Sequence, residues 1–255
     1  DVYAMCLVHV ERIARLSGAA NAPRAAAAKN DTRVHIGDWH FQRNAERYDA
    51  KLGDKTAGFA FELVLAPTQP LLLQGHQGLS RKGPMPENAS HYYSQVQLDV
   101  AGRLTLASRE QTPVRGRAWL DHEWSGSLMP DGAVGWDWIG FNLDDGSALT
   151  AFRLRDARGA AVWSGGSHRT RDGALRIFSN GEAVFEPLQT WRSAATRATY
   201  PVRWRLRCPA GEFEVQALFD AQELDGRSST GSVYWEGLSA LKRTTDGVRV
   251  GWGYL

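Results

Sequence analysis

The residue types needed for acid–base chemistry are concentrated in one short segment, Asp121-His122-Glu123-Trp124. It directly follows an expected β-strand, where successive side chains point to opposite faces. Asp121 and Glu123 would then share one face, opposite to His122. A carboxylate beside an imidazole can act as a general acid or base when burial moves its pKa towards neutrality. A hydrogen-bonded cluster of polar residues that joins two domains would have the same composition, so the pattern alone leaves both interpretations open.

A second candidate is the segment Trp136-Asp137-Trp138, in which the two indoles share a strand face and Asp137 points the other way. The chain has 10 tryptophans in 255 residues, a high proportion. Indole faces attract cations and pack against planar apolar ligands. We expect most of the tryptophans in a barrel core and two or three at a cavity wall.

Charged and aromatic residues also meet in the glycine- and proline-rich residues 74–90 and just after them. Arg81 and Lys82 could bind an acidic group there, although a surface loop entering a strand explains them equally well. Tyr92 and Tyr93 follow and should face opposite sides of that strand. Near the C-terminus, Glu236 follows two aromatic residues. It could be an acidic residue of a site, although a solvated glutamate at a strand end is the simpler interpretation.

Motifs for nucleotides, metals and serine nucleophiles are missing from the sequence. There is no P-loop, no dinucleotide glycine fingerprint and no Gly-x-Ser-x-Gly segment. His35 and His40 should point to opposite sides of a strand, and the consecutive residues 121–123 suit a single metal poorly. We therefore expect a site without a metal or cofactor.

The elements that must position these residues are expected to be β-strands. Short alternating segments rich in β-branched and aromatic residues are separated by Asp-Gly and Asn-Gly turn pairs. A helix is expected only at residues 8–16, a loop at 22–30, and turns at 52–54 and 101–102. We expect strands at residues 34–41, 59–66, 91–100, 103–108, 114–119, 136–143, 148–154, 175–178, 202–208, 212–219, 232–235 and 248–254.

Composition excludes several classes of protein. The net charge is only +2 and the basic residues are scattered, so a nucleic-acid partner is not expected. No apolar run approaches the ~20 residues of a membrane-spanning helix. Cys6 and Cys208 could form one disulfide, but two buried free thiols are the preferred expectation. Because the chain begins at Asp1, we expect a processed or trimmed chain whose export signal would be lost.

About a dozen strands in a chain of this length indicate two barrels or sandwiches. The loop composition of residues 124–135 suggests the seam between them. We therefore expect one domain at residues 1–125 and a second at 126–255.

Five segments occur together in the order of one known family. They are QGHQGLSRKGP at 74–84, ASHYYS at 89–94, AWLDHEW at 118–124, GWDWIG at 135–140 and YWEG at 234–237. The chain thereby resembles the AttH-like and CrtC-like lipocalin family, which includes carotenoid 1,2-hydratases (hydroxyneurosporene synthases). The resemblance implies an all-β fold of two lipocalin-like (calycin) antiparallel β-barrels with little helix. The family's usual tryptophan- and tyrosine-rich first segment is missing, so the first barrel is expected to be incomplete as given.

The resemblance also implies an elongated, apolar, isoprenoid- or lipid-like ligand. Hydratase members would add water to a terminal double bond, or cyclise the ligand, by acid catalysis without a cofactor. The acid would be Asp121 or Asp137, with His122 orienting the acid or the water. The implied ligand-binding residues are Arg81, Tyr92, Tyr93, Glu123, Trp124, Trp136, Trp138, Trp235 and Glu236.

A non-catalytic carrier is the alternative. It would hold an apolar ligand in the bacterial cell envelope, in the periplasm or at the membrane surface, in association with a transporter. The two functions differ in their site: a catalyst needs a carboxyl group with a raised pKa at a dry cavity wall, whereas a carrier needs only an apolar lining.

Overall fold

The computed structural model describes residues 25–55, 58–106, 110–126, 129–225, 227 and 233–255. The secondary structure of these residues consists of strands without helix, which confirms the predicted all-β class. The expected helix at residues 8–16 lies outside the described residues. The strands are β1 (Ala25–Ala27), β2 (Arg33–Ile36), β3 (Trp39–Asn44), β4 (Arg47–Asp54), β5 (Phe59–Ala66), β6 (Leu72–Leu73), β7 (Leu79–Arg81), β8 (Ala89–Leu106), β9 (Thr112–Trp124), β10 (Gly135–Leu143), β11 (Ala148–Arg155), β12 (Ala161–Arg169), β13 (Leu175–Phe178), β14 (Val184–Arg192), β15 (Thr199–Cys208), β16 (Gly211–Ala217), β17 (Glu223–Asp225), β18 (Val233–Trp235), β19 (Leu238–Arg243) and β20 (Arg249–Tyr254).

One compact unit comprises Asp1–Gln69, Leu98–Ala118 and Asp225–Val233. Its strands β1 to β5 form an antiparallel meander, and β5 pairs with the second half of β8. Alternate residues of β4 are buried, as expected for strands with one wet face. This part of the chain therefore follows the period-two pattern on which the strand predictions rested.

Four local predictions in this unit are wrong. The turn expected at residues 52–54 lies inside β4, where these residues pair with β5. The single strand expected at residues 34–41 is a hairpin, since Ile36 of β2 pairs directly with Trp39 of β3. Gly37 has a φ of 56° and supplies the left-handed residue of the two-residue turn. The turn expected at residues 101–102 lies inside β8, where the neighbouring backbone of β5 leaves no space for a side chain at residue 102. Within the loop expected at 22–30, β1 pairs with β2.

The second compact unit comprises Pro70–Gln97, Trp119–Leu224 and Tyr234–Leu255. Its main sheet has nine antiparallel strands in the order β13-β12-β11-β10-β20-β19-β16-β15-β14. The two edge strands β13 and β14 are consecutive in the chain and are joined only by residues 179–183. So short a connection between opposite edges requires the sheet to curl round on itself. Its inner face is filled by buried apolar side chains: Ile139, Phe141, Leu143, Leu149, Ala151, Phe178, Ala183, Phe185, Trp204, Leu206, Phe213, Val215, Leu241 and Leu255.

Three strands of the nine-stranded sheet were not predicted from the sequence, nor were the short strands β6, β7 and β17. β12 contains adjacent glycines, β14 contains a proline with register shifts around it, and β19 has the Leu, Ala and Lys composition of a helix. The two compact units interleave along the chain. The division into residues 1–125 and 126–255 stays a prediction.

Candidate active site

The candidate site is built on two neighbouring strands of the second unit, the first half of β8 and the end of β9. The Ser94 hydroxyl of β8 bonds to Asp121 of β9, and Ser90 bonds in the same way to Glu123. The odd-numbered acids therefore share one face of the ribbon. This confirms the alternation predicted for the segment.

Asp121 is the centre of a cluster of hydrogen-bond donors. Ser94 Oγ donates to Asp121 Oδ1 at 2.5 Å, and Trp119 Nε1 donates to the same oxygen at 2.8 Å. The Tyr92 hydroxyl also bonds to the carboxyl, and it accepts the Trp138 indole N–H at 3.2 Å, which leaves its own hydrogen free to donate. Such a set of donors suits a carboxylate anion.

Burial nevertheless raises the pKa of Asp121 to about 6, more than the Ser94, Trp119 and Tyr92 donors lower it; the charge of Glu123 raises it further. Asp121 as a residue is nevertheless exposed, so a small molecule can reach it, although the protein packed around the carboxyl removes much of that group's hydration. Desolvation disfavours the charged form and donors favour it. The balance leaves Asp121 able to exchange a proton near neutral pH.

Glu236, which directly follows β18, is the second carboxyl of the site. Burial, and then the charge of Asp121, raise the pKa of Glu236 to about 7. Burial and the charge of Glu236 in turn raise the pKa of Tyr234 to about 12, and they raise that of Tyr254. In the described part of the chain no hydrogen-bond donor reaches the Glu236 carboxyl. Asp121 and Glu236 are thus two interacting carboxyls in unlike surroundings.

An aromatic wall lies beside this carboxyl pair. The Trp119 and Trp138 rings meet edge to face, with centroids 6.5 Å apart and planes at 75°. Gly140 makes this arrangement possible, because a side-chain carbon there would overlap the Trp138 ring. Trp138 and Trp119 thus present two indole rings beside Asp121, and the ligand-binding role predicted for Trp138 stays a prediction.

Glu123 is neutralised by a lysine. Lys82 Nζ lies 2.8 Å from Glu123 Oε1, and the Lys82 side chain is only 15% exposed. The ammonium also lies 4.1 Å from the centroid of the Phe152 ring and 5.1 Å from that of Tyr92. This ion pair places a fixed positive charge behind Tyr92 and limits the repulsion between Glu123 and Asp121.

The opposite face of the ribbon carries a separate aromatic cluster. His122 Nδ1 lies 2.9 Å from the Tyr93 hydroxyl, and Trp124 packs between His122 and His91. Trp124 is 50% exposed. The structure therefore does not bring His122, Tyr93 or Trp124 together with Asp121, although the sequence analysis placed them in one site.

Asp137 is likewise held apart from the carboxyl pair. It lies on the core side of β10, opposite Trp138, and is 9% exposed. Arg153 Nε donates to it at 2.7 Å, and Arg155 Nε lies 3.4 Å away. The two arginines therefore hold the Asp137 carboxylate at the end of the core, where it stabilises the fold. Trp136, on the other face of β10, is 42% exposed.

Two other predicted residues have structural roles. Arg81 donates to the backbone carbonyls of Gly83, Pro84 and Met85 and so holds its own loop together. The Trp235 indole donates to the Asp220 carbonyl at 2.7 Å and packs against the apolar core.

Four participants were missed by sequence reasoning: Gln74, Ser94, Trp119 and Tyr254. Ser94 follows Tyr92 at the two-residue spacing of a strand face and could have been found by that signal. Trp119 precedes Asp121 at the same spacing, whereas Gln74 and Tyr254 become neighbours of the site only through the fold. Among the described residues, no group of three or more His, Cys, Asp or Glu could hold a metal ion. No helix in the same part of the chain is long and apolar enough to span a membrane.

A family model described as AttH-like matches residues 1–255. This chain belongs to the AttH-like family. Its structure is similar to the crystal structure of an AttH protein from Nitrosomonas europaea, with a TM-score of 0.83 and 43% sequence identity, over 89% of this chain and 70% of that one. The AttH-like assignment agrees with the five segments singled out in the sequence.

A second similar structure is kievitone hydratase from Nectria haematococca, with a TM-score of 0.72 and 18% identity. The likeness covers 90% of this chain and 71% of that chain. A comparison with curated proteins gave no match. The predicted lipocalin-like, antiparallel fold class is thereby confirmed.

Proposed function

We propose that this AttH-like protein binds an elongated apolar ligand and adds water to one of its double bonds. The observation that carries the proposal is the pair of interacting carboxyls, with pKa values of about 6 for Asp121 and about 7 for Glu236, beside an aromatic wall. Perturbed carboxyls of this kind are concentrated at functional sites. The fold likeness to kievitone hydratase is consistent with hydration.

The surroundings of the two carboxyls assign their roles. Glu236 has the higher pKa and lacks donors among the described residues, so it holds the proton and acts as the general acid. Asp121 accepts several donors, so it is the ionised partner and acts as the general base. Two carboxyls with two roles set by environment are a recurring arrangement in enzymes. The sequence analysis had Asp121 or Asp137 as the acid; the proposal moves that role to Glu236.

The reaction then follows in two steps. Glu236 gives its proton to one carbon of the double bond, and the π electrons form the new C–H bond, which leaves a carbocation on the other carbon. Water attacks that carbon while Asp121 accepts one of the water's protons. The product is an alcohol that differs from the alkene by one water. Return of the proton from Asp121 to Glu236 restores the starting state.

The aromatic wall stabilises the cationic intermediate. Trp119 and Trp138 present indole rings, whose faces attract positive charge by roughly 0.5–2 kcal/mol each. The carboxylate of Asp121 adds a Coulombic attraction, which is stronger beside desolvating protein than in bulk water. Both effects act on charge that develops only during the reaction, so they lower the barrier rather than tighten ground-state binding.

The test is to incubate the protein with kievitone and with polyenes of the lycopene and neurosporene type in heavy-oxygen water. Mass spectrometry should detect a product that has gained one water with the heavy isotope. Glu236→Gln and Asp121→Asn should each lower the rate by about 10²- to 10⁴-fold, the usual contribution of a positioned acid or base. Glu87→Gln, at an exposed glutamate of the same unit, is the control. Tight binding without any gain of water would contradict hydration and favour the carrier.

A further inference from the structure

A buried network of hydrogen bonds leads from the nine-stranded sheet of the second unit to Asp121. Gln74 Nε2 donates to Ser94 Oγ at 3.0 Å and to Thr150 Oγ1 at 3.2 Å. Gln74 Oε1 accepts the Ser167 hydroxyl at 2.8 Å. All four side chains are at most 3% exposed. Ser94 in turn donates to Asp121 Oδ1.

The donors and acceptors in this network fix the direction of each hydrogen bond. The Ser94 hydroxyl has one hydrogen, and the carboxylate 2.5 Å away is the strongest acceptor near it. Ser94 must therefore present a lone pair to Gln74, which only the N–H side of the amide can satisfy. The Ser167 hydroxyl bonds to the other end of the amide and holds it in that orientation.

We infer that Gln74 is a positioning residue that keeps the Ser94 hydroxyl turned towards Asp121, so that Asp121 stays the ionised member of the carboxyl pair. The inference rests on the proposed function for its catalytic meaning, because the ionised member is the one that takes the proton from water. Ser94 and Trp119 both bond to Oδ1. Oδ2 is then the oxygen that accepts this proton.

Charged and titratable groups face Asp121 from each neighbouring element. Glu123 lies on the same strand and is paired with Lys82. Tyr92 lies on β8, and Glu236 follows β18. Gln74 is uncharged, so its removal changes no charge in this set. A shift in the titration of Asp121 after that removal would report the lost donor.

The experiment is a carboxyl carbon-13 NMR titration without substrate, with the Asp121 signal assigned by its loss in Asp121→Asn. Gln74→Met keeps the volume of the side chain but removes the amide. It should raise the midpoint of Asp121 by about half a unit, because the lost hydrogen bond acts on the carboxyl only through Ser94. Ser94→Ala, which removes the direct donor, should raise it by about one unit.

Gln97→Met is the matched control. Gln97 is also a buried glutamine, but its amide bonds to the carbonyls of Leu143 and Ser147. It should lower stability without moving the midpoint of Asp121. An unmoved midpoint in Gln74→Met, with a loss of stability like that of Gln97→Met, would reduce Gln74 to a packing role and overturn the inference. Gln74→Leu also lacks the amide and adds no charge, and it should raise the midpoint as well; it decides the question if Gln74→Met does not fold.

The outcomes separate this inference from the proposed function. If the midpoint moves as expected but no alkene is hydrated, the positioning of Asp121 holds and the hydration proposal fails. If hydration occurs and the midpoint is unaffected by either Gln74 variant, the inference alone fails. In an active protein, the acid limb of the pH–rate profile should move with the midpoint in Gln74→Met and stay fixed in Gln97→Met.

Discussion

Glu236 should make the folded protein less stable at alkaline pH than at acidic pH, and its replacement by glutamine should remove that cost. The pKa of Glu236 rises from 4.5 to about 7 in the folded state, with burial as the first cause and the Asp121 charge as the second. Each unit is worth about 1.4 kcal/mol, so the ionised side chain costs about 3 kcal/mol when both effects are complete. Because the folded-state pKa is raised, stability is full below pH 4.5 and is lost as pH rises through 7.

The assay is urea unfolding of wild type and Glu236→Gln at several pH values from 4.5 to 8.5. The variant should gain little at pH 4.5 and up to about 3 kcal/mol at pH 8.5, with Glu87→Gln as the baseline for removing an exposed carboxylate. In an Asp121→Asn background the gain should shrink, because the repulsion between the two carboxylates is already gone. A gain that does not depend on pH, or a loss at pH 8.5, would refute the placement of Glu236 in a desolvated site beside Asp121.

The remaining predictions concern activity and packing. The rate should follow a bell-shaped pH profile with limbs near 6 and 7, because the active form holds one proton between Asp121 and Glu236; a profile flat from pH 5 to 8 would exclude the pair. Gly140→Ala should displace the indole wall, weaken the bond from Trp119 to Asp121 and move the acid limb upwards, with a change in tryptophan fluorescence as the structural readout. Asp137→Asn should destabilise the fold by about 3 kcal/mol, since it leaves two arginines unpaired, yet keep both limbs in place; a shifted limb would return Asp137 to the site.

Local pattern predicts the fold well where a strand has one wet face. In β15 the apolar residues Val202, Trp204 and Leu206 alternate with arginines, and the structure buries them on the core side. The pattern fails where tertiary packing overrides composition. Residues 34–41 are continuous in β propensity, yet Gly37 turns the chain back on itself. β14 contains a proline, which sequence rules disfavour in a sheet, but it lies at the sheet edge where a missing N–H is tolerated.

The site divides in the same way. Alternation places Asp121 and Glu123 on one face because that depends only on the geometry of one strand. It does not reveal Glu236, more than a hundred residues away, as the partner of Asp121, since that pairing depends on how the chain returns after β18. Nor does it separate Asp137 from the site, because only the fold shows that its face of β10 belongs to the core and meets Arg153 of the neighbouring strand β11.

The titration of both carboxyls by carbon-13 NMR tests the central claim most directly, since it requires no substrate. The structure predicts midpoints of about 7 for Glu236 and about 6 for Asp121, and a lower midpoint for Glu236 once Asp121→Asn has removed the neighbouring charge. If both carboxyls titrate near the ordinary value of about 4, independently of each other, the two groups do not form an acid–base pair and the proposed hydration chemistry loses its basis.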